Sequence, residues 1–300
     1  MDKPTATFKH LRPRLFGIAY RMLGVRADAD DIVQEAWLRW HGGGAASAHT
    51  PEAWLVTVVT RLAIDRLRSA IAERAHYVGP WLPEPLLDAE VASPESALEA
   101  AGDLSTAFLM MLERLGPEER AVFLLHQVFE FEHAEVAAMV GKSEAACRKT
   151  LQRARERVRA ERPRFAVDRE AHLALLARFV EAARSGDPAR VQTLLTLDAS
   201  YHGDGGGKAK TTVRTVVGAG RVARLVVGIE RKWSGAGRHD SVSINGEPGL
   251  LSWRDGRPDS VSSILVEDGL IAAIYVVRNP DKLGALRALA PGAGLQRGIA

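Results

Sequence analysis

Between Cys147 and Arg164 the chain carries eight basic side chains: Arg148, Lys149, Arg153, Arg155, Arg157, Arg159, Arg162 and Arg164. Only Glu156 and Glu161 oppose them. A local stripe of this kind is the electrostatic footprint of a surface that meets phosphates. Cys147, Leu151, Ala154 and Val158 recur at the spacing of a helix face turned inward. Ala145, Arg148, Gln152, Arg155 and Arg159 are left on an outward stripe, with Lys149 and Arg153 beside it. The first residues of such a helix reach base edges in a major groove. Ser143, Glu144, Ala145, Arg148, Lys149, Gln152 and Arg153 are the candidates for that role, since most of them can donate or accept there. Arg155, Arg157 and Arg159 lie further along and suit phosphates. The plainer alternative is a helical hairpin with a solvated basic face.

The flanking residues argue for a helix-turn-helix. Leu104, Phe108, Met111, Leu112 and Leu115 share one helix face, which Gly116 ends. Pro117 opens the next helix, carrying Val122, Phe123, Leu125 and Val128. A short helix over His133–Val140 stops at Gly141, which supplies a left-handed turn. Ser143 caps the last helix, which runs to about Arg162, before Pro163.

A separate helical block precedes this one. Phe8, Leu11, Leu15, Ile18, Ala19 and Met22 repeat at helical spacing. A second helix is expected after the acidic cluster Asp28, Asp30 and Asp31, with Ile32, Val33, Ala36, Trp37 and Trp40 on its apolar face. His41–His49 reads as a loop. Thr50 and Pro51 open a third helix with Trp54, Leu55, Val58, Val59 and Leu62 on one face, and Arg61, Asp65, Arg66 and Arg68 on its polar side. From Ala75 to Gly102, Pro80, Pro83, Pro85 and Pro94 forbid a continuous helix. The run Trp81-Leu82-Pro83-Glu84-Pro85-Leu86 is too apolar for a solvated linker and is expected to dock.

The last third changes character. One helix carries Leu173, Leu176, Ala177 and Val180, and Gly186-Asp187-Pro188 begins another. Strand-like runs follow at Ser241–Ile244, Leu250–Trp253, Ser260–Val266 and Leu270–Val277, with Asp255-Gly256 and Asp268-Gly269 as hairpin turns. Helices followed by an antiparallel meander read as an α+β domain.

Other candidate chemistry fails on spacing. Gly203–Lys208 lacks the first glycine of a phosphate loop, where His202 stands, and Ala209 replaces the hydroxyl after the lysine. It reads as a tight glycine turn, or as backbone approached closely by another segment, with Lys208 pairing Glu84 or Asp281. His133-Ala134-Glu135 lacks the cysteine pair of a zinc deaminase. His126 and His133 lack metal-ligand spacing. No metal, cofactor or catalytic residue is expected. His202, Asp204, His239 and Asp240 could act as acid or base, but nothing in their spacing assembles them. The net charge is +3, and the one cysteine, Cys147, can form no internal disulfide, which suits a reducing cytosol. No apolar run reaches the roughly 18 residues of a membrane span. A soluble cytoplasmic protein without a membrane partner is expected.

Together the two helical blocks resemble the extracytoplasmic-function sigma factors, over roughly the first 165 residues. Asp30-Asp31-Ile32-Val33-Gln34-Glu35-Ala36-Trp37 resembles the family's helix that binds core RNA polymerase. The resemblance therefore implies core binding by Asp30, Asp31, Gln34, Glu35 and Trp37. Trp54-Leu55 through Ile64-Asp65-Arg66-Leu67-Arg68 resembles the helix that melts the −10 element, which implies −10 contacts by Arg61, Asp65, Arg66 and Arg68 and by the Ala45–Thr50 loop. The family often has Asn near Thr60 or Arg61, and this chain does not. Leu115-Gly116-Pro117-Glu118-Glu119-Arg120 resembles the start of the region that reads the −35 element.

The last third resembles a SnoaL-like domain of the NTF2-like cone fold, a fusion typical of the SigJ-like subgroup. Three segments carry that match: Trp81-Leu82-Pro83-Glu84-Pro85-Leu86, Asp204-Gly205-Gly206-Gly207-Lys208 and Asn279-Pro280-Asp281-Lys282-Leu283. The subgroup implies regulation in cis through these segments. The expected architecture is multidomain: two all-α sigma domains, the second with the helix-turn-helix, and a C-terminal α+β cone. Its parts are region two over 1–75, a linker over 76–102, region four over 103–165, the SnoaL-like domain over 166–290 and a tail over 291–300. The expected partners are core RNA polymerase and promoter DNA, with a small ligand in the cone left open. A stand-alone helix-turn-helix regulator and an enzyme using the cone are the alternatives.

Overall fold

A computed structural model of the chain describes residues 3–45, 48, 50–87, 104–159, 168–233, 237–284 and 286. Residues 46, 47 and 49 of the Ala45–Thr50 loop, the second half of the linker, the end of the basic helix with Arg162 and Arg164, and the tail lie outside these residues. The chain divides into two compact units. One holds residues 1–76, 89–104 and 108–161; the other holds 77–88, 105–107 and 162–300.

The first unit is helical. Helix α1 spans Lys3–Leu23. Helix α2 spans Arg26–Arg39 and passes into a π-helical turn at Trp40–Gly44. Helix α3 spans Pro51–Arg74. Leu15, Ile18 and Met22 of α1 are buried with Ile32, Val33, Val59, Ala63 and Leu67. Three local expectations change. Asp28, Asp30 and Asp31 lie inside α2 rather than ahead of it, and Val25 occupies the N-cap. His41–Gly44 continues the helix instead of looping, with Gly43 at φ 130° relieving the wide turn. The Gly44 position has no room for a side chain, because a Cβ there would lie 2.4 Å from the Trp54 ring. On α3 the buried face is Leu55, Val56, Val59, Ala63, Ile64 and Leu67. Val58 and Leu62 are only half-buried.

Helix α4 spans Thr106–Leu112, from Phe108 on in this unit, and α5 (Pro117–Gln127), α6 (His133–Val140) and α7 (Glu144–Arg159) follow within it. Glu119 and Glu135 accept from the N-cap amides of Gly116 and Glu132 at 3.2 and 2.9 Å, which starts α5 and α6. Gly141 ends α6 in the left-handed region, and the Lys142 amide donates to the Ala137 carbonyl at 2.9 Å. The Ser143 hydroxyl accepts from the Ala146 amide at 3.2 Å and starts α7.

The second unit is a helix-plus-sheet cone. Helices α8 (Arg169–Arg184), α9 (Pro188–Gln192) and α10 (Ala219–Trp233) accompany strands β1 (Leu195–Asp204), β2 (Val216–Val217), β3 (Gly237–Ile244), β4 (Glu247–Arg254), β5 (Arg257–Glu267) and β6 (Leu270–Val277). Asp168 and Asp187 cap α8 and α9 through their carboxylates. The strand order is β2-β1-β6-β5-β4-β3. The expected meander is β3–β6. Beyond it, β1 pairs parallel with β6 and antiparallel with β2, so the sheet is mixed. Leu176, Phe179, Val180, Val222, Val227, Leu250, Ile264 and Ile274 belong to one core between helices and sheet.

Candidate functional site

Helix α7 buries Cys147, Leu151, Ala154 and Val158, as the spacing requires. Ser143, Glu144, Ala145, Arg148, Lys149, Gln152 and Arg153 are all exposed. Three ion pairs order this surface. Arg148 pairs with Glu144 one turn back. Arg153 and Arg157 converge on Glu119 of α5 at 4.0 and 2.6 Å. Arg155 donates to Gln127 Oε1 at 3.1 Å. Of the arginines expected to face phosphates, Arg155 and Arg157 are thus held in place by α5. Behind α7, His126 and His133 stack at 4.1 Å, and burial lowers the pKa of His133. Among the described residues no His/Cys/Asp/Glu group could hold a metal.

The polar side of α3 is engaged by the helix-turn-helix half of its own unit. Arg61 donates to the carbonyls of Met139 and Ala138, at the C-terminal end of α6, at 2.9 and 3.1 Å. That helix end carries partial negative charge, so the contact is favourable. Arg68 bridges Asp65 and Glu118, each at 2.8 Å. Lys142 reaches the same Glu118, whose pKa it holds down. Arg66 pairs with Asp28 at 3.0 Å and Glu73 at 2.8 Å, which raise its pKa further. Deeper in the unit, the buried Arg120 and the largely buried Arg74 share Glu113, at 2.8 and 2.6 Å. They also donate to the carbonyls of Met22 and Leu23, both at 2.7 Å. Beside Arg61 and Asp65 runs an open groove of about 790 Å³ lined by Arg39, Trp54, Val58 and Leu62. Trp54 lies 5.6 Å from Trp40 and is half-buried.

The acidic helix α2 presents Asp31 and Gln34 to solvent. Asp30 pairs with Arg12 and Arg26 at 3.1 and 3.8 Å, and Glu35 with Arg39 at 2.8 Å. Trp37 sits between Phe8 and His41, at 4.9 and 5.0 Å, half-buried.

In the second unit the three segments singled out in the sequence come together on one carboxylate. Asp204, at the end of β1, is fully buried. It accepts from the Tyr77 hydroxyl at 2.5 Å, the Leu82 amide at 2.9 Å and Lys282 Nζ at 2.7 Å. Lys282 also donates to the Leu82 carbonyl and lies 4.2 Å from the Trp81 ring. Asn279 Nδ2 donates to the Tyr77 hydroxyl at 2.8 Å. Burial, then Asp204, push the pKa of that phenol up. Leu82, Pro83, Pro85 and Leu283 are buried; Trp81, Glu84 and Pro280 are partly so.

Gly205, Gly206 and Gly207 form the turn beside this cluster. A Cβ on Gly206 would meet Asn279 Nδ2 at 2.3 Å, and Gly206 and Gly207 have φ of +58° and +73°. Both sequence readings of the turn therefore hold at once. Lys208 pairs with Asp281, not Glu84, at 2.5 Å. Further along, the Asn245 backbone amide donates to the Leu86 carbonyl at 2.8 Å, the Leu86 amide donates to the Asn245 side-chain Oδ1 at 2.9 Å, and Leu87 bridges Ile244 at the sheet's β3 edge.

Tyr77 and Asn245 complete this clasp and were not among the residues the sequence singled out. An aromatic residue just ahead of Gly79-Pro80-Trp81 was the available signal for Tyr77. Of the acid/base candidates, His239 lines the cavity of this unit. His202 stacks on Tyr275, Asp204 belongs to the clasp, and Asp240 holds Arg238 and Trp253 Nε1.

Residues 7–71 match the Sigma-70 region 2 family and residues 105–158 the Sigma-70 region 4 family. The chain is 40% identical over 287 residues to the ECF RNA polymerase sigma factor SigJ of Mycobacterium tuberculosis, covering 92% of this chain and 91% of that protein. It is 31% identical over 297 residues to the probable ECF RNA polymerase sigma factor SigI of the same species, covering 96% and 97%. The crystal structure of SigJ superposes with a TM-score of 0.75 at 37% identity, over 93% of this chain and 98% of that one. Two helical regions in this order, joined to a helix-plus-mixed-sheet domain and matched nearly end to end, place the chain among the extracytoplasmic-function RNA polymerase sigma factors.

Proposed function

We propose that this sigma factor directs core RNA polymerase to promoters through two DNA-reading surfaces and is held in check by its own C-terminal unit. Helix α7 reads the −35 element through Arg148, Lys149 and Gln152, with Ser143, Glu144, Ala145 and Arg153 around them. The groove along α3 receives the melted −10 strand, with Trp54 as a stacking surface and Arg61, Arg66 and Arg68 for the backbone. Asp65 orients Arg68. The exposed part of α2, with Asp31 and Gln34 flanked by Asp30, Glu35 and Trp37, meets the polymerase. A cytoplasmic location goes with that role.

One observation carries the regulatory half: Asp204, buried and bonded to Tyr77, Leu82 and Lys282. Residues 77–87 belong to the chain that connects α3 to α4, so their capture shortens the free span between the two promoter-reading regions. Arg61 and Arg68 are meanwhile occupied by α6 and Glu118. Opening the clasp frees that span and lets the regions separate. The C-terminal unit acts as a regulator rather than as an enzyme; its acid/base candidates are dispersed among structural contacts. The test is in vitro transcription with core polymerase, comparing the full chain with C-terminal truncations and with Lys282→Met. Absence of promoter-specific initiation by every form would refute the reading.

A further inference from the structure

Between α8, α10 and the sheet of the second unit lies a cavity of about 350 Å³. Strand register grades its wall. Ile264 pairs with Ile274 across β5 and β6, and Leu250 with Ser262 and Val276 one row on. In the next row His239, Ser252 and Ser260 stand side by side across β3, β4 and β5. Alternate residues of a strand share a face, so these rows form one surface that runs from apolar to polar. Helix residues Leu176, Phe179, Val180, Leu225 and Val226 close the apolar side.

The polar side has a sign. Its charged lining is Lys210, Lys232, Arg254 and Arg278 against Glu230 and Asp259. Asp259 is already neutralised by Arg254 and Arg278, at 2.9 and 2.8 Å. Glu230 is paired with His239 at 3.4 Å and with Arg184 at 3.9 Å, which hold its pKa down. The lining's cationic excess therefore attracts an incoming anion at the end where Lys210 and Arg278 stand. There Arg278 donates to the Lys210 carbonyl. Arg278 Nε and Thr212 Oγ1 are buried without a hydrogen-bond partner among the described residues. A buried donor without an acceptor is costly, and a bound oxygen acceptor removes that cost. Tyr201, whose burial lifts its pKa to about 12, adds a neutral hydroxyl to the same wall.

We propose that this cavity binds a small amphipathic carboxylate, with its apolar body against Phe179, Val180, Ile264 and Ile274 and its carboxylate at Lys210, Thr212 and Arg278. Pockets of this size and mixed lining are the usual seats of small ligands. The amides of Arg278 and Asn279 both donate to the Asp204 carbonyl, at 2.7 and 2.9 Å. The carboxylate thus contacts the residue that adjoins the clasp, which makes the ligand an effector. The effector role rests on the clasp reading; the binding does not.

Calorimetry on the full chain tests the binding with four probes: decanoate, 2-naphthoate, decanol and decylamine. At least one of the two acids binds saturably, one per chain, with decanol and decylamine about tenfold weaker or more. Lys210→Glu, a change at an exposed side chain, weakens the acids about tenfold. The proposal is overturned if neither acid binds saturably, if the alcohol or amine binds as tightly as the acids, or if Lys210→Glu leaves the acid affinity unchanged. None of these readouts depends on transcription, so their failure leaves the clasp reading standing.

Discussion

At the scale of single residues, Asp204 is the centre of the clasp. A carboxylate with no solvent exposure must be matched by donors, and Tyr77, Leu82 and Lys282 supply them. Removing one partner of a buried ion pair leaves the other uncompensated, at a cost of about 3–5 kcal/mol. Lys282→Met should therefore destabilise the C-terminal unit by that order in urea denaturation. Asp204→Asn combined with Lys282→Met should lose much less. Equal losses in the single and double variants would mean that the ion pair does not hold the segments together. Tyr77→Phe removes a neutral donor only, and about 1–2 kcal/mol is expected. Gly206→Ala is expected to weaken the same unit, because the turn needs φ of +58° there and Asn279 fills the space a methyl group would take. An unchanged urea midpoint for that variant would show that the turn yields.

At the scale of elements, the helix-turn-helix and the linker behave differently. Arg148 is exposed and its partner Glu144 lies on the same helix, so Arg148→Ala should leave the thermal midpoint unchanged. Promoter affinity should fall by about 1–3 kcal/mol, the range for a side chain that reads a base. Footprinting on a cognate promoter measures it, and an unaffected −35 footprint would exclude Arg148 as a reader. This helix was legible in the sequence because its signals are local: the Gly141 turn, the Ser143 cap and the four inward residues are fixed by their neighbours. The strands from Ser241 to Val277 were legible for the same reason, through Asp255-Gly256 and Asp268-Gly269. Strand β1 was not. It pairs parallel with β6, some seventy residues away in sequence, and Asp198 with the exposed Leu197 breaks its alternation. Helix α10, with Val222, Ala223 and Val227 inward, carries a helical period of its own in the sequence. The face of α3 came out rotated by about one residue, because Val58 and Leu62 are apolar yet border a groove instead of the core. The linker was legible as a segment that docks, but its anchor Tyr77 depends on a carboxylate 127 residues away, which no local pattern encodes.

At the scale of the whole molecule, acid and clasp opening are two routes to a loosened C-terminal unit. His172 is buried there and His202 partly buried, and burial lowers both pKa values. The unfolded chain then binds protons more readily than the folded one as pH falls below about 6.5. Their contribution is complete above that pH and is lost as pH falls through the lowered folded values. The thermal midpoint should drop between pH 7.5 and 5.5, and His172→Phe with His202→Phe should flatten the drop; an unaltered slope would assign it to other groups. The central claim, that the clasp governs access to promoters, is tested most directly by multiple-round in vitro transcription with core polymerase on a cognate promoter. Full chain and Lys282→Met are to be compared at matched concentration, below saturation. The account predicts more transcript from Lys282→Met, because the released linker lets both regions reach their elements. Equal or lower output from a variant that still binds core polymerase would contradict it.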